Sequence, residues 1–371
     1  MRDSLVSFIW RDPQGVRRFR AGVCLHGHTM HSEECLSFLP RYLYRVPGAP
    51  QIVRRYQRGS GPVDFARALW TPPLSSASAL RLERKQIAGL GLRPLVSLTD
   101  HDSIEAGMSL QVAVDTREVP ISVEWTVPFE RSILHLGVHN LPPHAARAWM
   151  GAMAAYTATP DDDRLPDLLS ALARIPEVLI VLNHPFWLEE GVEEDDHSRA
   201  LDRVLRDCLE WLHAFELNGT RSWPENAKVI ELGRAYARPL ISGGDRHACE
   251  PAACLNLTNA ASFAEFADEI RGGLSAIWFM PHYREPIALR ILETVRDILR
   301  PYPEYPNRVR WMDRVFYRSE PGAEAKPLSE VWQKHEPLLL RGVTGLVHGL
   351  ASARLRGALR PLLAERGESL P

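Results

Sequence analysis

The sequence predicts an α/β fold assembled from strand–helix units. Three observations carry that reading. Short apolar runs rich in Val, Ile, Leu and aromatic residues recur at 22–26, 94–99, 120–125, 133–138, 178–182, 214–217 and 239–242. Most are followed by polar residues and then by a longer stretch of helical periodicity, the pattern of a parallel sheet or barrel. The bulk composition agrees, since 371 residues, 45% hydrophobic and 24% charged, describe a globular chain able to bury a core.

Taken in order, the run 22–26 leads into His26-Gly27-His28, with Glu33 and Glu34 just beyond. The segment near 37–73 reads differently: Arg41, Tyr42, Tyr44, Arg45, Arg54, Arg55, Tyr56 and Arg58 stand among glycines and prolines, the make-up of an inserted loop or lid. The run 94–99 is followed by Asp100-His101-Asp102, and Asp102 with Glu105 has capping-box spacing for a helix carrying Ile104, Ala106, Met108 and Leu110. The runs 120–125 and 133–138 are too close for an intervening helix, so a hairpin-like irregularity is expected there. Beyond Pro286 the pattern is helical alone, over 287–299 and 338–363, with a proline-rich connector at 301–306. The expected division is a barrel-like body at 1–285 and a helical extension at 286–371 packed on it.

A formal net charge of -2 offers no broad field for holding nucleic acid or an anionic membrane without specificity. No stretch of about 18 apolar residues occurs and the first residues lack a secretion-signal pattern, so a cytoplasmic protein without a membrane partner is expected. Cys24, Cys35, Cys208, Cys249 and Cys254 form no C-x-x-C pair, which speaks against a disulfide framework or a cysteine zinc site.

The chemistry concentrates where the apolar runs end. Residues two apart on a strand point the same way, so His26 and His28 can share one metal ion, and Asp245 and His247 repeat that spacing after Gly243-Gly244. Glu124 stands between Val123 and Trp125, where an unpaired carboxylate is costly and a bridge between cations makes it intelligible. His135 lies within 133–138, and His184 precedes Pro185 after a run apolar enough to be buried on both faces. Each taken alone also fits an ordinary polar loop or a solvent-facing position. Together they do not, because the C-terminal strand ends of a parallel barrel converge on one face and would gather all five segments into one site.

In this order the residues resemble the PHP (polymerase and histidinol phosphatase) family of metallophosphoesterases. The family's opening H-x-H-T-x-x-S-D/E falls on His26, His28, Thr29, Ser32 and Glu33, and its T-D-H-D on 99–102. Its bridging glutamate falls on Glu124, its following histidine on His135, its H-P histidine on His184, and its closing D-x-H on Asp245 and His247. The resemblance covers roughly 23–247 and implies a distorted (β/α)7 barrel holding three divalent ions, of manganese, iron or zinc. It assigns His26, His28, Glu124 and Asp245 to one ion, Glu33, His101 and His247 to a second, and Glu124, His135 and His184 to a third. The sequence departs from the family where Glu34, Cys35 and lid-like residues replace the usual D-G and P, and where Arg246 separates the last two ligands.

The activity so implied is hydrolysis of a phosphate ester by a metal-bound hydroxide, on a small phosphorylated substrate or a nucleotide. Asp245 and His247 would stand at the reacting centre, and Arg246, where small residues are frequent in the family, is a candidate either for a clamp on the phosphate or for a surface salt bridge. The insertion is either a solvated loop with no substrate role or a cap whose Arg41, Arg54 or Arg55 meets an anionic substrate, with tyrosines offering a face for a base. Two other classes compete. An amidohydrolase acting on C–N bonds uses a lysine or carboxylated-lysine bridge where Glu124 stands, and a non-catalytic, metal-stabilised accessory module tolerates lost ligands. Contact with extended nucleic acid finds no support in the sequence.

Overall fold

A computed structural model describes residues 4–37, 64–320, 323–332, 338–363 and 370. Arg41, Arg54 and Arg55 therefore lie outside the described residues. The first half of the chain runs β1 Leu5–Phe8, β2 Ala21–Cys24, β3 Glu34–Cys35, β4 Ala68–Trp70, α1 Ser76–Ala88, β5 Arg93–Val96, α2 Glu105–Leu110, β6 Ile121–Phe129 and β7 Ser132–Leu141. It continues through α3 Ala146–Ala158, α4 Leu165–Ala173, β8 Leu179–Asn183, α5 Glu194–Cys208, β9 Ala214–Asn218, α6 Trp223–Ala235 and β10 Leu240–Gly243. Then come β11 Cys254–Thr258, α7 Phe263–Arg271, β12 Ala276–Phe279, α8 Ile287–Leu299, β13 Val315–Tyr317, β14 Lys326–Pro327, α9 Leu328–Val331, α10 Leu338–Leu350 and α11 Ala353–Leu363.

The strands form three sheets, ordered β1-β12-β11-β2-β5, β10-β9-β8-β7-β6 and β14-β13-β4-β3. Side-chain alternation explains how the first two meet. On β8 and β9, Ile180, Leu182, Phe215 and Leu217 turn outward to a core shared with α3 to α6, while Leu179, Val181 and Ala214 turn inward. Inward they meet Val23, Leu25 and Leu95 from the other sheet and Ile241 of β10, and Phe263 and Phe266 of α7 join them. The outer face of the first sheet is covered by Leu80 and Ile87 of α1. The inner face is thus apolar at one end, and the positions that follow in the same phase, such as Asn183, Glu216 and Asn218, are polar and buried.

The molecule is mixed α/β, and among the described residues the hydrogen bonds trace separate sheets and no closed barrel. β6 and β7 form an antiparallel hairpin, as the short spacing predicted, and β7 runs antiparallel to β8. Among the described residues, the strand pairing between the two large sheets is limited to isolated bridges, Leu98 to Ile121 and His101 to Glu124 on one side and Gly27 to Arg246 on the other. Continuous pairing fails there because the chain turns out of extended geometry, with positive φ at Asp102 (49°) and Asp245 (48°).

Three sequence expectations need correction. Asp102 does not cap α2; its carboxylate accepts the Thr126 backbone N–H at 2.9 Å, and the helix begins at Glu105 without a side-chain cap. The region after Pro286 is not helical alone, since β13 pairs with β4 and β14 pairs with β13. Strands of two or three residues are too short to leave a period in the sequence. The long helical stretch 338–363 is two helices, broken at 351–352. No helix of the described residues is long and apolar enough to cross a membrane.

Gly107 lets α2 approach β6, because a Cβ at that position would stand 2.8 Å from Ile121 Cα. Gly107→Ala is expected to lower stability by about 1–3 kcal/mol, read as a reduced urea midpoint. An unchanged midpoint would show that α2 can retreat without cost.

Candidate metal centre

The polar ends of the strands converge. Glu124 on β6 is fully buried, and its two oxygens face different partners. Oε2 lies 2.7 Å from His26 Nε2 and 3.4 Å from both His28 Nε2 and His101 Nε2. Oε1 lies 3.0 Å from His184 Nε2, 3.8 Å from His135 Nδ1 and 3.0 Å from the Asn183 amide that donates to it. One carboxylate thus separates two groups of imidazoles.

Asp245 divides its oxygens in the same way. Oδ1 faces His28 Nε2 at 3.3 Å, His247 Nδ1 at 3.6 Å and His26 Nε2 at 3.7 Å. Oδ2 accepts from Asn218 Nδ2 at 3.1 Å and Thr220 Oγ1 at 2.9 Å, with Arg221 at 3.4 Å. Those donors fix the carboxylate and leave Oδ1 turned to the histidines. Glu34 completes the arrangement, 3.4 Å from His101 Nε2, 3.5 Å from His247 Nε2 and 3.8 Å from His28 Nδ1.

Several of these spacings are too long for a hydrogen bond and suit a shared cation. Two ligand atoms each about 2.1 Å from one tetrahedral ion stand about 3.4 Å apart. His28 Nε2 makes the case sharply: it is buried without a hydrogen-bond partner, yet two carboxylate oxygens lie at 3.3 and 3.4 Å. A buried ring nitrogen left so is costly, and a cation between those three atoms would satisfy it. Three donor groups are spaced to hold an ion: His26, His28 and Glu124; His28, Glu34 and His247; Glu124, His135 and His184.

The electrostatics follow from crowding carboxylates and imidazoles away from water. Burial disfavours charge on His26, but Glu124, Glu216 and Asp245 hold its pKa well above the ordinary histidine range. Burial, reinforced by His247, pushes His28 down to about 4. Burial opposes charge on Glu124 too, and His26 and His101 override it to hold the carboxyl well below its usual range. Asp245 is held down likewise, against its burial, chiefly by His26 and His28. His247 is raised to about 9, burial notwithstanding, by Glu34 and Asp245. The imidazoles thus favour the ionised forms of Glu124 and Asp245, against the cost of burial.

Of the residues singled out from the sequence, the structure brings together His26, His28, His101, Glu124, His135, His184, Asp245 and His247, and it excludes two. Glu33 is exposed, and Glu34 takes its place. β3 pairs with β4, with Glu34 opposite Trp70, and alternation along a strand sends neighbouring side chains to opposite faces. Arg246 points away from the cluster: it is buried against Glu83, with Nε 3.1 Å from Oε1, and donates to Gln86 at 3.0 Å. Its backbone carbonyl accepts the His28 N–H at 2.8 Å, so its place is under the ligand loop and not at a phosphate.

Sequence reasoning missed Glu216. It is buried on β9, 2.6 Å from His26 Nδ1, and its other oxygen accepts the His184 N–H at 3.0 Å. The argument applied to Glu124 would have found it, since Glu216 also sits between large apolar residues, Phe215 and Leu217. Arg221 was missed as well; it stacks on Trp187, 3.7 Å from the ring centroid, beside Asp245.

No family model matches the chain, and no curated protein matches it. Among solved structures it is similar to PsfC from Pseudomonas syringae, at TM-score 0.39 and 14% identity over 60% of this chain and 89% of that one. It is similar to an amidohydrolase from Chromobacterium violaceum with bound sulfate, at TM-score 0.36 and 14% identity over 61% and 88%. A third likeness is to a candidate metal-dependent phosphoesterase from Bifidobacterium adolescentis, at TM-score 0.34 and 13% identity over 55% and 92%. At TM-scores this low the chemistry rests on the site's own geometry.

Gly243 passes directly beside Glu216, and a Cβ there would fall 1.6 Å from Oε1. Gly243→Ala is expected to displace Glu216 from His26 and weaken divalent-cation binding by about 10–100-fold while the fold persists. Unaltered affinity in a Mn2+ titration would show that Glu216 does not orient the ring.

Proposed function

We propose that the chain is a metal-dependent phosphoesterase of PHP type, a distorted barrel whose polar end holds divalent cations and hydrolyses a small phosphorylated substrate or nucleotide. The observation that carries this reading is the double engagement of Glu124, one oxygen toward His26, His28 and His101 and the other toward His135 and His184. Imidazole and carboxylate donors without thiolates suit manganese, iron or zinc. Cations bound there supply Lewis acidity toward phosphoryl oxygens and activate a water.

The chain's own residues have separable tasks in this reading. His26, His28, Glu124 and Asp245 hold one ion, Glu34, His101 and His247 a second, and Glu124, His135 and His184 a third. Glu216 accepts a hydrogen bond from His26 Nδ1 and so aims Nε2 at the ions. Arg221 assumes the clamp expected of Arg246. Its guanidinium is flattened against Trp187 at the rim, and a planar fork beside the cluster is matched to two phosphate oxygens.

The test is phosphate release from a panel of monoesters and nucleotides by Mn2+-loaded protein. Release that disappears on chelation is expected, and Arg221→Lys should raise KM more than it lowers kcat. Silence across the panel in metal-loaded protein would remove the claim, and cleavage of amides alone would place the reaction at C–N bonds.

A further inference from the structure

The site owes Glu34 to a part of the chain remote in sequence. β3 has two residues and, among the described residues, pairs as a strand with β4 alone; β4 in turn is flanked by β13, so that Glu34, Trp70 and Val315 lie in one row across the sheet. Beyond that row the Thr71 N–H donates to the Arg314 carbonyl at 2.9 Å, and Arg67 and Arg318 exchange bonds at 2.9 and 3.0 Å. Arg308 makes the link most specific to the site. Its Nη1 donates to the Met30 carbonyl at 3.2 Å and to Thr71 Oγ1 at 3.0 Å, tying the loop between His28 and Glu34 to the end of β4.

Arg308 is itself held from below. The fully buried Arg314 donates to the carbonyls of Arg308 at 2.7 Å, Val309 at 3.1 Å and Arg300 at 3.0 Å, closing the loop around them. By contrast, Glu124, His135 and His184 stand on β6, β7 and the end of β8, which this strap does not pair with.

We infer that Arg308, carried on the strap 301–320, is a positioning residue that seats Glu34 in the metal centre and so decides occupancy of the ion site formed with His101 and His247. The inference rests on the metal reading above. It makes the region after Pro286 a working part of the centre, through a contact that the remaining ligands do not share.

The experiment is Mn2+ binding to the full chain, by calorimetry and by metal content after dialysis, with circular dichroism as the check on folding. Wild type is expected to bind more than one class of ion. Arg308→Met should weaken one class at least about ten-fold and spare the rest, Glu34→Gln should weaken the same class, and the double variant should be no worse than Glu34→Gln alone. His184→Ala should weaken a different class and add to Arg308→Met. Should Arg308→Met fail to fold, Thr71→Val removes one of its two acceptors and should weaken the same class less. Wild-type affinities in Arg308→Met, or in a folded Thr71→Val standing in for it, would overturn the inference, as would uniform weakening of every class. A wild-type chain that binds no Mn2+ would overturn the metal reading and the inference together.

Discussion

The structure depends on one costly arrangement: Glu34, Glu124, Glu216 and Asp245 are gathered around one cluster of imidazoles, largely shut off from water. Carboxylates so crowded repel one another and lose hydration, and they persist only where positive charge is supplied. Six imidazoles surround them, with His26 and His247 pushed toward the charged form by neighbouring carboxylates and His28 and His135 pushed toward the neutral form by burial. The neutral ones matter most, because a neutral imidazole beside an ionised carboxylate is the donor set of a cation site. His28 Nε2, buried and unpartnered among oxygens, marks where a proton-based solution stops sufficing.

Strand geometry makes the arrangement attainable. The inner faces of the two large sheets are apolar along most of their length and turn polar over the last few positions, so a core and a site share one interior. At the strand ends the backbone leaves extended geometry, with positive φ at Asp102, His184 and Asp245. Such conformations are unfavourable for these residue types and persist when surrounding bonds fix them. Glu216 binding the His184 N–H, and Asn218 and Thr220 binding Asp245, are bonds of that kind.

Much of this was legible in the sequence. The apolar runs that become β2 and β5 to β10 were visible, as were the polar residues closing them, because strand burial and strand ends leave local signatures. What was not legible depends on pairing between distant segments. Glu33 lies just before β3 and Glu34 opens it, and where that strand starts is set by its pairing with β4, more than thirty residues on. Arg246 lies between two site residues, but its direction is fixed by Glu83 on α1, which no local pattern announces. The short β3, β4, β13 and β14 passed unnoticed because two or three residues give too little periodicity. Glu216 is different; its burial was inferable from Phe215 and Leu217.

The central claim is that Glu124 joins two cation sites through its two oxygens. Electron paramagnetic resonance of the Mn2+-loaded chain tests it most directly. The account predicts an exchange-coupled signal that collapses to that of isolated Mn2+ in Glu124→Gln, whereas an isolated six-line spectrum in fully loaded wild type would contradict it.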